Sequence, residues 1–382
     1  MQFSEILGQH NIKNHLFKNA LSGRIPHAQL FVGPEGCGTL AMAIAYAQFV
    51  LCSNLGQENS GGTASCNLKF ESLAHPDLHF VYPNVTNDEV KTKPKSADFI
   101  MDWREFVTTN PYGSLFDWYK HLGVQNKQGE IRVEDAQDIL KSLSLKSYEG
   151  GYKIMIVWMA DKMNIAASNK LLKLLEEPPE KTLFLLISEN EEDIIQTIRS
   201  RCQVLHFAAL PDDIIIKALK EKYFLDEASA SKVSHQAQGN YTKALHIVKN
   251  DAEDQPFEKW FVHWVRAAFR AKGNASAIQD LILWSEEIAG LGREGQKQFL
   301  NYCIVMFRQA LLHNYEAKNL VYVEPKIDKF SFDKFAPFVN GNNINAIFNE
   351  LSDAIYHIER NGNAKIVLTD LSIKLTRLIH KN

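Results

Sequence analysis

Cysteine is scarce in this chain, and neither sign of charge dominates. Five cysteines (Cys37, Cys52, Cys66, Cys202 and Cys303) are scattered over 382 residues. Their odd number and the lack of a framework exclude a disulfide-built small scaffold and fit a reducing cytoplasm. The net charge is only −3, so no chain-wide basic field marks nucleic acid as a direct, dominant partner. The short basic run of Lys91, Lys93 and Lys95 reads as a solvated loop. No run of about 18 apolar residues occurs, which argues against a membrane-spanning helix. The opening Met1-Gln2-Phe3-Ser4-Glu5 has neither the basic nor the apolar region of a secretory leader. Repeats and low-complexity tracts are missing too. With 45% apolar and 23% charged residues, the expectation is an ordinary cytoplasmic globular chain of two or three domains.

What the chain does have is a glycine loop in a telling context. Leu30-Phe31-Val32 is a short apolar strand that runs into Gly33-Pro34-Glu35-Gly36-Cys37-Gly38-Thr39-Leu40, and Leu40 to Leu51 then reads as a buried helix. Strand, glycine loop and helix are the setting of a phosphate-binding P-loop, G-x-x-x-x-G-K-[ST]. In that motif backbone N–H groups cradle phosphate, the lysine neutralises the terminal phosphates and the hydroxyl holds Mg²⁺. Here Thr39 stands in the lysine position and Leu40 in the hydroxyl position. Gly33, Gly36, Gly38 and Thr39 remain candidate contacts for a weakly held phosphate or nucleotide at the helix N-terminus. A glycine loop kept only for packing and chain reversal is the competing reading.

Further along, residues 53–65 read as a polar loop. Residues 84–130 mix Pro94, Pro111, Gly113, Gly123 and Gly129 with Trp103, Phe106, Phe116 and Trp118, which suggests an irregular, partly packed excursion of unknown role. Ile131 to Leu145 resumes a helical pattern. Lys153 to Trp158 and Thr182 to Ser188 read as strands buried on both faces, with a helix from Ala166 to Glu177 between them, stopped by Pro178-Pro179. Strands alternating with helices imply a parallel sheet. After Pro211 the pattern changes to small helices with a Gly239-Asn240 turn, and from about Pro256 it is helical throughout. The aromatic stripe from Trp260 to Phe269 reads as helical core rather than a ligand box.

An ordered set of short motifs narrows the reading. It comprises Ile6-Leu7-Gly8-Gln9, His27-Ala28-Gln29-Leu30-Phe31, His75-Pro76-Asp77, the block Asn169-Lys170-Leu171-Leu172-Lys173-Leu174-Leu175-Glu176-Glu177-Pro178-Pro179, and Ser200-Arg201-Cys202. Residues 1–210 carry all of them, and Asn361 to Lys365 adds a weaker match. In these motifs the chain resembles the AAA+ clamp-loader subunits of bacterial DNA polymerase III. The resemblance implies an α/β P-loop AAA+ domain over residues 1–210, a parallel sheet with flanking helices. It also implies a small helical lid domain over 211–255 and an all-α C-terminal collar domain over 256–382.

The same resemblance assigns roles to single residues. It makes Arg201 an arginine finger, acting in trans in a neighbouring subunit's ATP site, with Arg199 close by but off the motif. A surface arginine paired with a carboxylate is the competing reading. The positions of the metal-binding Asp and water-orienting Glu fall on Trp158 and Met159, and the lid's sensor arginine falls on Thr242. Together with Thr39, four nucleotide-handling positions have lost their charge, so hydrolysis by this chain is not expected. Asp161 reads as the start or cap of the next helix rather than as a catalytic acid. Ser188 matches the sensor position at the end of its strand. Glu176 and Glu177 end a helix, where negative charge is unfavourable, which hints at a contact that the sequence does not name. Relatives often insert a four-cysteine zinc module after the P-loop helix. Here only Cys52 and Cys66 lie in that region, with Ser60 and Thr63 near the middle ligand positions, so no zinc is expected.

The expected function is that of a non-hydrolysing stator, with no required cofactor. Its partners would be ATPase subunits of gamma/tau type and a delta-type subunit and, through the complex, the sliding clamp and primed DNA. Two rivals stay open: a weak ATPase with a nonstandard site, and a scaffold with no trans-catalytic role.

Overall fold

Five short strands form one parallel sheet in the computed structural model. The structure describes residues 1–53, 64–124, 127–144, 146–148, 151–249, 254–317, 327 and 330–380. The strands are β1 (Ala28–Val32), β2 (Leu78–Val81), β3 (Lys153–Val157), β4 (Thr182–Ser188) and β5 (Gln203–His206). Their order is β2-β3-β4-β1-β5. β1 lies between β4 and β5, with Leu30 opposite Leu186 on one side and Val204 on the other. The apolar runs at β1, β3 and β4 are buried along their whole length because helices cover both faces of a parallel sheet. The edge strands β2 and β5 are the two the sequence did not announce. Each has four residues, and none of those in β5 is fully buried.

The helices of this part are α1 (His10–Leu21), α2 (Thr39–Cys52), α3 (Ala64–Glu71), α4 (Ile100–Thr109), α5 (Leu115–His121), α6 (Val133–Ser144), α7 (Ile165–Glu176) and α8 (Gln196–Arg199). The lid region follows as α9 (Asp212–Tyr223), α10 (Glu227–Ala237) and α11 (Tyr241–Val248). By packing, the chain divides into two units, residues 1–124 with 129–246, and residues 125–128 with 247–382. The lid helices therefore pack with the sheet unit as far as His246.

The second unit consists of α12 (Asp254–Arg270), α13 (Ala275–Ala289), α14 (Gly292–Asn314), α15 (Phe332–Phe335), α16 (Ile344–Glu359) and α17 (Ala364–Leu378). Its core holds Phe261, Trp264, Trp284, Phe299, Phe307 and Leu371. Trp264 stacks on Trp284 at 4.8 Å and donates its indole N–H to Ser372 Oγ at 2.9 Å. Most of the 260–269 stripe is thus core, but Phe269 is 44% exposed.

Two expectations change. Cys52 and Cys66 are not separate thiols but a disulfide, because the end of α2 and the start of α3 bring their Cα atoms to 5.5 Å. Cys37, Cys202 and Cys303 are free. Ser60 and Thr63 lie outside the described residues, and among the described residues no group of three or more His, Cys, Asp or Glu side chains is placed to hold a metal ion. Unfolded without reductant, the chain is expected to react with a thiol reagent at three cysteines, and after reduction at five. Five before reduction would remove the disulfide. The second change is at α7, whose cap is Asn164, accepting from the Ala167 N–H at 2.9 Å. Asp161 sits ahead of it in a 3₁₀ turn, paired with Lys162 at 2.7 Å. Among the described residues no helix is long and apolar enough to cross a membrane.

Candidate functional site

The glycine loop joins β1 to α2 and is made by backbone that only glycine adopts easily. Gly36 has φ of +72° and Gly38 φ of +95°, the latter at the N-cap of α2. Their missing side chains also make room for the protein itself. A Cβ at Gly36 would lie 2.1 Å from Asn240 Oδ1, and one at Gly38 would lie 2.8 Å from the Tyr112 ring. Asn240 and Tyr112 thus close directly against the two glycines. Asn240 donates to Glu35 Oε1 at 2.9 Å, and the Tyr241 N–H donates to the Gly36 carbonyl at 3.3 Å. Tyr112 packs edge-on against Tyr241 at 5.1 Å, and its hydroxyl accepts from the Leu7 N–H at 2.8 Å.

Three of the four positions that the resemblance marks as changed, 158, 159 and 242, are buried in the chain's own packing. Thr242 is buried and donates its hydroxyl to the Tyr112 carbonyl. Trp158 is 2% exposed and packs on Trp103 at 5.1 Å. Trp103 in turn stacks on Tyr82 at 4.1 Å and meets Trp118 edge-on at 5.3 Å. Met159 is buried beside Trp158 with φ of +52°. The Ser188 hydroxyl lies 3.1 Å from Asp161 Oδ1 and 2.9 Å from the Asn190 carbonyl, so its hydrogen-bonding capacity is met within the chain. Burial pushes the Cys37 thiol up to about 12, against backbone hydrogen bonds from Thr39 and Cys37 itself, so it is neutral at physiological pH.

What remains of the site is a cavity of about 20 Å³. That is room for about one water molecule. Two carboxylate residues, Glu35 and Glu189, line it along with Thr39 and Met159, and no lysine or arginine does. A polyphosphate would meet like charge there rather than compensation.

The segment 84–130 supplies much of the packing around this cavity. Trp103 and Phe106 on α4 and Trp118 on α5 build the aromatic bed under Trp158, and the turn between the two helices presents Tyr112. Sequence reasoning missed Tyr112, Asn240 and Tyr241. The Gly239-Asn240 turn was visible, but nothing in the spacing aims it at a loop some 200 residues earlier. Ile6-Leu7-Gly8-Gln9 also acts here, since the Gln9 amide donates to the Cys37 and Ala208 carbonyls at 3.2 and 2.7 Å.

The lid is clamped by a second contact. Asp117 on α5 pairs with His246 on α11 at 3.0 Å and accepts from the Ser114 N–H and hydroxyl. Burial alone would raise the Asp117 carboxyl, but His246 and Ser114 outweigh it and hold it below the usual carboxylate range. A lowered native pKa adds stability above the unfolded value of about 3.9, and that stability is lost as pH falls through the native value. Acid unfolding monitored at α11 is therefore expected to begin at higher pH in Asp117→Asn than in the parent. An identical acid limb would show that the pair carries no linkage.

Arg201 lies elsewhere on this unit, just after α8. Its guanidinium donates to Glu176 Oε1 at 2.7 Å and to the Thr197 carbonyl at 2.9 Å. The side chains of Arg201 and Glu176 are 36% and 48% exposed. Glu176 closes α7, so this pair supplies the contact its charge called for at a helix C-terminus. Arg199 faces another carboxylate, Glu191, at 3.6 Å. The structure brings Gly33, Gly36, Gly38 and Thr39 together around this small cavity; Arg201 is not among the residues lining it.

Comparison with known proteins gives the family. The chain is 27% identical over 245 residues to DNA polymerase III subunit delta' of Bacillus subtilis, covering 64% of this chain and 60% of the relative. With the delta' subunit of Haemophilus influenzae it shares 27% identity over 196 residues, 51% of this chain and 47% of the relative. A gamma/tau subunit of Mycobacterium tuberculosis is 29% identical over 210 residues, 55% of this chain and 29% of that one. The matches thus span about half to three fifths of the delta' relatives. A gamma subunit-related protein from Thermotoga maritima superposes with a TM-score of 0.41 at 12% identity, over 96% of this chain and 99% of that one. Residues 8–211, more than half of the chain, match the family described as DNA polymerase III, delta subunit. The chain therefore belongs to that family, and the relatives it resembles include delta' subunits of DNA polymerase III.

Proposed function

We propose that this chain is a cytoplasmic, non-hydrolysing AAA+ stator subunit of a clamp-loader complex. Its partners are ATPase subunits of gamma/tau type and a delta-type subunit, and the assembly places a sliding clamp on primed DNA. The observation that supports the non-hydrolysing part is the small cavity of about 20 Å³ at the glycine loop, lined by Tyr112, Glu35 and Glu189, with Asn240 packed against Gly36. No cofactor and no zinc are required in this reading. Arg201 serves a neighbour's ATP site in trans, supported by its exposure and its place in the Ser200-Arg201-Cys202 motif.

A second reading is favoured by one contact. The Arg201–Glu176 pair gives the arginine a partner within its own chain, as a scaffold without a trans-catalytic role would have. The separating experiment is ATP turnover by the reconstituted complex with clamp and primed DNA, comparing the parent with Arg201→Ala, and the isolated chain as blank. A silent blank with a loss in the mutant complex supports the stator. A silent blank with no loss in a fully assembled mutant complex leaves the scaffold, and turnover in the blank refutes the non-hydrolysing reading.

A further inference from the structure

The helical unit carries a groove that the stator reading does not use. It has a volume of about 960 Å³ and runs along one face of α12, opposite the segment 330–338. On α12 the residues facing it are spaced three and four apart, as one helical face requires: Lys259, Val262, His263, Arg266, Phe269 and Arg270. The opposite face of the same helix, with Phe261, Trp264 and Ala268, is packed in the core. From Lys259 to Arg270 the groove follows about 17 Å of helix, or three turns.

Its floor is apolar and its rim is basic. Val262, Val265 and Ile379 are buried at the bottom, while Phe269 and Phe338 are 44% and 37% exposed and lie ring to ring at 4.8 Å. Around them stand Lys259, His263, Arg266, Arg270 and Lys334, and no acidic residue is among the described lining. Arg270 pairs with Asp280 at 3.2 Å, and Arg266 sits over the Phe330 ring at 5.6 Å. Among the described residues no ion pair engages Lys259 or Lys334. In a chain of net charge −3, this grouping is a local departure and not a reflection of overall composition.

We propose that this groove docks an amphipathic helix of a partner protein, apolar on one face and acidic on its flanks. The three-turn length suits a helix laid in a groove, with anchors at i, i+3, i+4 and i+7 meeting the apolar floor. The basic rim selects acidic flanks and sets the register. The proposal does not depend on the trans role of Arg201.

The test uses the full chain and a fluorescein-labelled synthetic helix with leucines on one face and glutamates on the other. The expected result is saturable binding that weakens with added salt. It should weaken about tenfold or more in Lys259→Glu/Lys334→Glu, whose two changes are at exposed positions. A scrambled peptide of the same composition and a lysine-for-glutamate version should not bind. No saturable binding, equal binding of the scramble, or indifference to the charge reversal would each overturn the proposal. Equal displacement by a DNA duplex would replace it with a general polyanion surface. Binding that appears only when residues 318–326 are exchanged for a glycine–serine linker would place the chain's own segment in the groove, and would also overturn it.

Discussion

In its proposed trans role, replacing Arg201 with alanine is expected to slow turnover at one neighbouring ATP site by about 10³–10⁵-fold. Total turnover of a complex with several sites falls by less, so the measurement should isolate single-site hydrolysis or compare clamp loading under single-turnover conditions. The magnitude decides whether the Glu176 contact opposes the role. Both partners are partly exposed, at 36% and 48%, and such a pair contributes about 0–1 kcal/mol. A finger that accelerates hydrolysis 10³–10⁵-fold contributes about 4–7 kcal/mol at the transition state. Leaving Glu176 therefore costs little beside what the neighbour's phosphates offer. Glu176→Gln, which keeps the side-chain shape and removes the charge, should leave turnover within a few-fold of the parent while Arg201→Ala abolishes the site. Arg201→Lys should fail nearly as badly as alanine, because an ammonium lacks the planar fork. Parent-like turnover by an assembled Arg201→Ala complex would sink the trans role.

Trp158→Ala is expected to destabilise the sheet unit by about 3–5 kcal/mol. Trp158 is 2% exposed and packs on Trp103 and Phe106 at 5.1 and 6.2 Å, so truncation leaves a cavity in an aromatic bed with little freedom to collapse. Hydrogen exchange of the β3 amides reads this unit separately from the helical one, which a global melt would not. A loss under about 1 kcal/mol would mean that the bed repacks. On the proposed non-hydrolysing reading, reinstating motif residues alone is not expected to produce an ATPase. Trp158→Asp removes the same packing and buries a carboxylate among aromatic rings, which adds a further penalty. Thr39→Lys would bring back a charge, yet Asn240 would still pack against Gly36 and Tyr112 against Gly38, beside a cavity of only about 20 Å³. Recovery of Mg²⁺-dependent hydrolysis in Thr39→Lys/Leu40→Thr alone would contradict this picture.

Thr39 and Leu40 in the lysine and hydroxyl positions of the glycine loop are legible in the sequence, because a P-loop's side chains stand at fixed spacing; the readings of Trp158, Met159 and Thr242 came only with the family resemblance. The central strands are legible too, since their continuous apolar runs follow from burial on both faces. The edge strands β2 and β5 escaped because four residues, in β5 only partly buried, carry little period. The tertiary structure alone decided what packs against the glycine loop. Tyr112, Asn240 and Tyr241 reach the glycine loop from turns far along the chain, and local pattern does not encode which turn meets which loop. It also decided that Arg201 rests on Glu176 and that Cys52 meets Cys66. Each of these pairings depends on how helices pack on the sheet. Local periodicity fixes which face of an element is buried; which distant residues then become neighbours depends on closing the chain around a common core.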